Sequence, residues 1–384
     1  MIGLLTAACT GDVTPTSSSA SSSTTTTTSV PATTPTVGET STTSQGETQF
    51  PVVALPTDAA CSLDDVPGSG EATVVIDGRL YGLGATGTEP RCLADGIDTI
   101  DIEWGPQGDR IRVGSRVLTG SVEVSLPAAA NYIWTAPTGS RTLAVAPDRL
   151  WKVDLDDLTE SDITFLAENE AAAYHPAGEH MLVVGTNAEG QYGLWLATNQ
   201  GADPLLIAFD ELAEMSEPEW SWLNEPMFIA KHINGPWHIH LVELSAEGSL
   251  EGPVVIETDE PIDWLLPSSH DPIMLAYRSG GVGGETCVED SHAEVKGIDL
   301  PEPVASLTST PLGWLSAERL LVMTYPNGCD APGDLWSFSA GFCPGSVYGV
   351  TPIISGIDGA AAREAAPLPP PPPDFTGVID PAPA

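Results

Sequence analysis

The sequence predicts an all-β fold, a β-propeller of four-stranded blades, and three observations point there. A unit of short strand, Pro-x-Gly turn, apolar strand, polar turn and aromatic-bearing strand recurs along most of the chain. Aromatics mark its first strand at Trp104, Trp134, Tyr174, Trp220, Trp264 and Trp314, at spacings of roughly 30 to 50 residues, near the period of propeller blades. Four short antiparallel strands make a sheet too small to stand alone, and such sheets gain stability by packing face to face in a ring.

The clearest copy of the unit runs from Ala171 to Asn199. Ala172 to Tyr174 is a short apolar strand ending in an aromatic. In His175-Pro176-Ala177-Gly178, proline presets φ at the second turn position and glycine suits the last. Met181 to Val184 is a β-favouring run of the kind buried on both faces. In Gln191 to Ala197 the side chains alternate, with Tyr192, Leu194 and Leu196 on one face and Trp195 on the other. Leu205 to Phe209 completes the four strands.

Further copies follow the same plan. Second strands are expected at Arg110 to Val113, Thr142 to Val145, Met227 to Ala230, Ile273 to Tyr277 and Leu320 to Tyr325. Third strands include Leu150 to Val153, Trp237 to Leu244 and Asp334 to Phe338. The turn degenerates from Pro106-Gln107-Gly108 and Pro137-Thr138-Gly139 to Leu223-Asn224-Glu225, Pro267-Ser268-Ser269 and Ser316-Ala317-Glu318. The aromatics count six blades. Ala72 to Ile76 and Arg79 to Leu83 flank Asp77-Gly78, a two-residue hairpin signal, and Pro90 to Leu93 adds a third strand. With Gly359 to Ala366 as inner strand, these close a seventh blade, so seven blades are expected over six.

The chain has 384 residues, with Lys+Arg 13 against Asp+Glu 53 and a net charge of −40. Phosphate binding needs clustered cations, so nucleic acid is excluded as a partner. The acidity reads first as solubility. Weak, scattered Ca²⁺ binding is the alternative. Asp154, Asp156 and Asp157 are the nearest cluster, but they lack the glycine and distal glutamate of a calcium loop.

The domain reading has four parts. Residues 1–9, MIGLLTAAC, resemble the end of a bacterial lipoprotein signal, and that resemblance implies lipidation at Cys9. The departures are a missing positive n-region, a short apolar run and Thr6 where such signals carry leucine. Residues 10–49 are nearly all Ser, Thr and Pro from Thr14 onward, a tether without enough apolar surface to fold. Residues 50–366 form the propeller, and residues 367–384, with PLPPPPP, an extended tail. Together these place the protein outside the cytoplasm on a bacterial cell envelope, touching the membrane only through its N-terminal lipid.

The W-x-P-x-G pattern of WGPQGDRI and YHPAGEHM resembles the TolB-like and WD-type propeller repeats, over roughly Asp101 to Ile354. The resemblance implies a fold and hardly any function. The additional α/β domain of TolB has no room in this chain, so a role in the Tol system is not implied.

Outside the cytoplasm cysteines usually pair. Cys61 is expected with Cys92, stapling the lead-in to an outer strand. Cys287 is expected with Cys329, because their loops join second to third strands in neighbouring blades and project from one face. Cys343 is left over.

Candidate chemistry is sparse. His238 and His240 lie on one face of a strand with His232 nearby, a metal-ligand spacing that also fits plain interblade histidines. Asp101, Glu103, Glu219 and Asp263 stand beside the inner-strand aromatics. At the mouth of a channel they suit acid–base work, and equally they suit solvation or capping of strand-end amides. The tryptophans read as interblade core, with stacking on sugars or peptides as the alternative. No G-x-S-x-G elbow or sialidase-type Asp-box occurs. Gly280 to Gly284 opens no helix, which argues against a phosphate cradle. The resulting expectation is a surface-anchored module that binds a protein, peptide or glycan through the loop face bearing Cys287 and Cys329. A glycan hydrolase or lyase using channel carboxylates or a divalent metal is the alternative. The residues name neither the ligand nor the oligomeric state.

Overall fold

The computed structural model describes residues 50–57, 60–68, 71–84, 87–99, 101–129, 131–135, 138–208, 213–221, 225–242, 254–268, 274–280, 287–288, 291–297, 303–316, 319–339 and 349–363. The expectations for Cys9, the Ser/Thr-rich stretch, Cys343 and the Pro-rich tail lie outside these residues, as does most of the loop before His292.

The described strands form seven four-stranded antiparallel sheets. The first blade takes β1 (Ala72–Ile76), β2 (Arg79–Leu83) and β3 (Arg91–Asp95). The second is β4 (Ile102–Trp104), β5 (Arg110–Val113), β6 (Arg116–Thr119) and β7 (Glu123–Ser125). The third is β8 (Asn131–Trp134), β9 (Arg141–Ala146), β10 (Arg149–Asp154) and β11 (Glu160–Asp162). The fourth is β12 (Glu168–Tyr174), β13 (His180–Thr186), β14 (Tyr192–Thr198) and β15 (Leu205–Ala208). The fifth is β16 (Ala213–Trp220), β17 (Pro226–His232), β18 (Trp237–Leu241) and β19 (Val254–Thr258). The sixth is β20 (Ile262–Pro267), β21 (Met274–Ser279), β22 (His292–Gly297) and β23 (Ala305–Leu307). The seventh is β24 (Thr310–Ser316), β25 (Arg319–Thr324), β26 (Gly333–Ser339) and β27 (Gly349–Ile357). The last strand, β28 (Gly359–Ala362), pairs with β1 and supplies the inner edge of the first blade. The ring thus closes through this first blade, shared between the two ends of the propeller as the sequence leads one to expect.

The repeated turn forms for a local reason. The Gly178 amide donates to the His175 carbonyl at 2.8 Å, and Gly178 has φ of 83°. A side chain there would be strained, whereas glycine takes this conformation freely. Asp77 and Gly78 both have positive φ, at 50° and 71°, as a two-residue hairpin turn of the primed type requires.

The core lies between blades. Each face of the run Met181 to Val184 is buried: Met181 and Val183 pack toward the third blade, Leu182 and Val184 toward the fifth. Among the described residues, seven apolar clusters occur, one at each junction of neighbouring blades, including the junction of seventh with first. The inner-strand tryptophans belong to this core. Trp104, Trp134, Trp220 and Trp314 are only 7%, 7%, 6% and 1% exposed, which sets aside an exposed stacking role for them.

The sixth blade departs from the pattern. Trp264 does not end its strand, because a register shift between Asp263 and Leu266 places it in a bulge with φ of 55°. The strand continues to Pro267, and Leu266 instead accepts a hydrogen bond from the Trp314 indole at 2.9 Å.

Both expected disulfides are present. Cys61–Cys92 ties the lead-in to β3, and Cys287–Cys329 joins loops of the sixth and seventh blades. Paired cysteines of this kind belong to an oxidising compartment. Among the described residues no helix is long and apolar enough to cross a membrane.

Candidate functional site

Antiparallel strands alternate direction, so one end of the ring carries the turns after first strands, and the other carries the loops after second strands. A cavity of about 530 Å³ lies toward the first of these ends. Its wall is built from inner strands of the second to seventh blades, and Pro106, Pro176, Ser221 and Pro267 at the turns rim it. Trp104, Trp134, Tyr174, Trp220 and Trp314 supply aromatic walls. The bridged loops of Cys287 and Cys329 lie at the opposite end, where they line a pocket of only about 60 Å³.

Three carboxylates line the cavity: Glu103, Glu217 and Glu219. Burial raises the pKa of Glu219 to about 8, and the like charges of Glu217 and Glu103 push in the same direction. Burial also raises Glu217, with Asp263 adding to the effect and Arg278 opposing it. For Glu103 burial again dominates, opposed by Arg112. Its side chain is 41% exposed, on the wall of the cavity. Arg112 is the one cationic residue in the lining, and it is already committed. It donates to Asp101 at 2.7 Å and to Glu103 at 2.9 Å.

The sequence singles out Glu103 and Glu219, and the structure brings them together on this cavity. Asp101 sits beyond the lining, on the far side of Arg112, with its side chain 58% exposed. Asp263 is also outside the lining, held by the guanidinium of Arg278 at 2.6 and 2.5 Å. That pair is buried, with the Arg278 side chain fully enclosed and Asp263 9% exposed.

Glu217 is the residue that pattern reading misses. A register shift between Ser216 and Glu219 puts it in a bulge, where its φ is 48°. A bulge re-aims side chains, and here Glu217 and Glu219 both reach the cavity wall. The available signal was Pro218 within an otherwise regular strand, since proline in a strand marks an edge or a bulge.

The acidic turn of the third blade has a different use. Asp154 accepts from the Asp156 amide at 3.0 Å and pairs with Arg141, while Asp157 accepts from the Thr159 amide at 2.9 Å. These oxygens cap turn amides. His232, His238 and His240 do come together, on the two middle strands of the fifth blade.

No family model matches the sequence, and no curated protein does. Among solved structures, TolB from Acinetobacter baumannii is similar at 14% identity over 76% of this chain and 66% of its own, with a TM-score of 0.44. A putative TolB from Agrobacterium tumefaciens is 12% identical over 66% of this chain and 89% of its own, also at 0.44. Prolyl oligopeptidase B from Galerina marginata, bound to a 35mer hydrolysis and macrocyclization substrate, reaches 0.50 at 10% identity, over 77% of this chain and 52% of its own. The matched region thus spans about half of that enzyme and just under two thirds of the first TolB. At such identities the likeness is one of fold, and the seven sheets carry that conclusion by themselves: the chain is a seven-bladed β-propeller.

Proposed function

We propose that the protein is a binding module for a cationic peptide segment of a partner protein, received in the central cavity. One observation carries this reading. Three glutamates converge on an aromatic-walled cavity whose single arginine is already paired with Asp101 and Glu103. A lysine, arginine or amino terminus entering there meets converging carboxylates, the groups that attract cations most strongly. Glu219 adds a signature. Its pKa, raised to about 8 by burial, favours the neutral form at pH 7, and an incoming cation favours the charged form, so binding releases a proton.

Calorimetry in buffers of different ionisation enthalpy tests this, with short lysine- and arginine-rich peptides as probes. Expected are proton release, affinity rising from pH 6 to pH 9, and a loss of at least about tenfold in the E217Q/E219Q variant. Equal binding by that variant, or a preference for neutral oligosaccharides, would sink the proposal.

A second reading keeps one supporting observation. Neutral Glu219 near Arg112-bound Glu103 offers an acid and a base in one cavity, the pairing that glycan hydrolysis uses. Turnover of an oligosaccharide panel that vanishes in E219Q would favour it over the binding module.

The cellular address belongs to the same proposal. The two disulfides support an extracytoplasmic domain, and the lipobox-like Cys9 followed by a Ser/Thr-rich tether supports anchoring by an N-terminal lipid. Cys9→Ser should release the protein from membranes and abolish labelling by radioactive palmitate. Unchanged membrane association would overturn the anchor.

A further inference from the structure

The loop-bearing end of the ring, opposite the cavity, holds a second cluster of ligating side chains. It sits on the β17–β18 hairpin of the fifth blade. In this hairpin Ala230 pairs with His238 and Phe228 with His240. His232 lies two residues past Ala230, so all three histidines share one face of the sheet. Their ligating nitrogens lie within 4.8 Å of one another, and all three residues are half-buried. On the adjoining strand β19, Glu257 pairs with His238, and its carboxylate lies 3.6 Å from the His238 Nε2.

Local packing holds the rings in place. His240 stacks on Phe228 at 5.0 Å with 9° between the planes. His232 and His238 meet edge to face at 4.7 Å, and His238 and His240 at 5.4 Å. The hairpin turn lets His232 approach. The Gly235 amide donates to the His232 carbonyl at 3.1 Å, and a Cβ on residue 235 would sit 2.9 Å from the His232 Cβ. Glycine at this turn therefore leaves the histidine room that any other residue would take.

We propose that His232, His238, His240 and Glu257 form a zinc site. The donor chemistry selects the ion. Three imidazoles and one carboxylate suit zinc and its neighbours, whereas calcium takes six to eight oxygens. Zinc–nitrogen bonds of about 2.0–2.1 Å set tetrahedral donors roughly 3.4 Å apart. From separations of at most 4.8 Å the nitrogens therefore close by no more than roughly 1.4 Å, within reach of small χ rotations of half-buried rings. Glu257, with its side chain 67% exposed, opens the site to solvent and gives the ion an entry path. The bound ion would clamp β17, β18 and β19 together at the end of the ring where the loops of Cys287 and Cys329 also lie.

The test uses the full chain without a histidine tag, stripped with a chelator and titrated with Zn²⁺ by calorimetry and with Co²⁺ by visible absorption. Expected are one zinc per chain and the intense cobalt bands of a tetrahedral site. Changing a partner that merely orients a ligand costs about 10–100-fold in metal affinity, so removing a ligand should cost at least that. H238A, H240A and E257Q should each show such a loss, with near-ultraviolet circular dichroism confirming the fold of each variant. The wild-type titration stands even where a variant fails to fold. Absence of zinc binding at micromolar concentration, an octahedral cobalt spectrum, or folded H238A and H240A variants that bind as the parent does would each overturn the proposal.

Discussion

At the scale of single residues, the cost of gathering carboxylates is visible in Glu219. Its pKa, raised to about 8 by burial and by Glu217 and Glu103, means that the folded protein binds a proton there which the unfolded chain gives up near its ordinary value of 4.5. The folded state binds more protons between these values, so the stability tied to this group is full below about pH 4.5 and is lost as pH rises through about 8. Replacing Glu219 by Gln keeps the neutral shape and removes the titration. The thermal midpoint of E219Q should match the parent near pH 5 and exceed it by a few degrees near pH 8.5; parallel pH profiles for the two proteins would contradict this. Arg278 and Asp263 show the other way of managing buried charge. Their bidentate pair is complete, so neither carries an uncompensated charge into the interior.

At the scale of elements, the ring depends on its seam. β28 is Gly-Ala-Ala-Ala because it is squeezed between neighbours. A Cβ on Gly313 of β24 would sit 2.9 Å from the Ala362 Cβ. Ala360 packs into the junction of seventh and first blades, and Ala361 into the junction of first and second. A361D places a carboxylate where the alanine is 5% exposed. It should cost about 3 kcal/mol or more, a fall of roughly 4 °C or more in the thermal midpoint of a ring this size. The same change at exposed Val122, which is 52% exposed, should leave the midpoint almost unmoved. If both variants melt with the parent, the closing strand is not what holds the ring together.

At the scale of the whole molecule, each apolar cluster among the described residues belongs to two blades, and none to a single blade. Cross-links that restrict the unfolded chain therefore stabilise the ring as a unit. The two disulfides span 31 and 42 residues. Loop-closure entropy at these lengths gives about 4 kcal/mol for each. Denaturant titration of C287S/C329S should show a midpoint lowered accordingly, with the slope of the transition preserved if the ring still unfolds as one. Two separate transitions would show that blades melt independently. The net charge of −40 works against this compact state through self-repulsion, and moderate salt should raise the midpoint of every variant.

The sequence by itself determined the blade period, the shared closing blade, the hairpin at Asp77-Gly78 and the pairing of Cys61 with Cys92 and Cys287 with Cys329. All of these are written in local chemistry: proline and glycine at turns, strand alternation, and loops of adjacent repeats that must project together. Only the tertiary structure decided which carboxylates meet. Glu103 and Glu219 stand three blades apart around the ring, Glu217 joins them through a bulge, and Asp101 and Asp263 are drawn off by arginines. A bulge shifts one register without disturbing the hydrophobic period, so Trp264 and Glu217 lie where counting along a strand does not put them. Glu257 reaches the histidines by the same route, through a strand pairing across a loop whose length the period does not set. Periodicity records what each residue does to its nearest neighbours in sequence. A cavity or a ligand cluster depends on the meeting of blades, and closing the ring is what sets that.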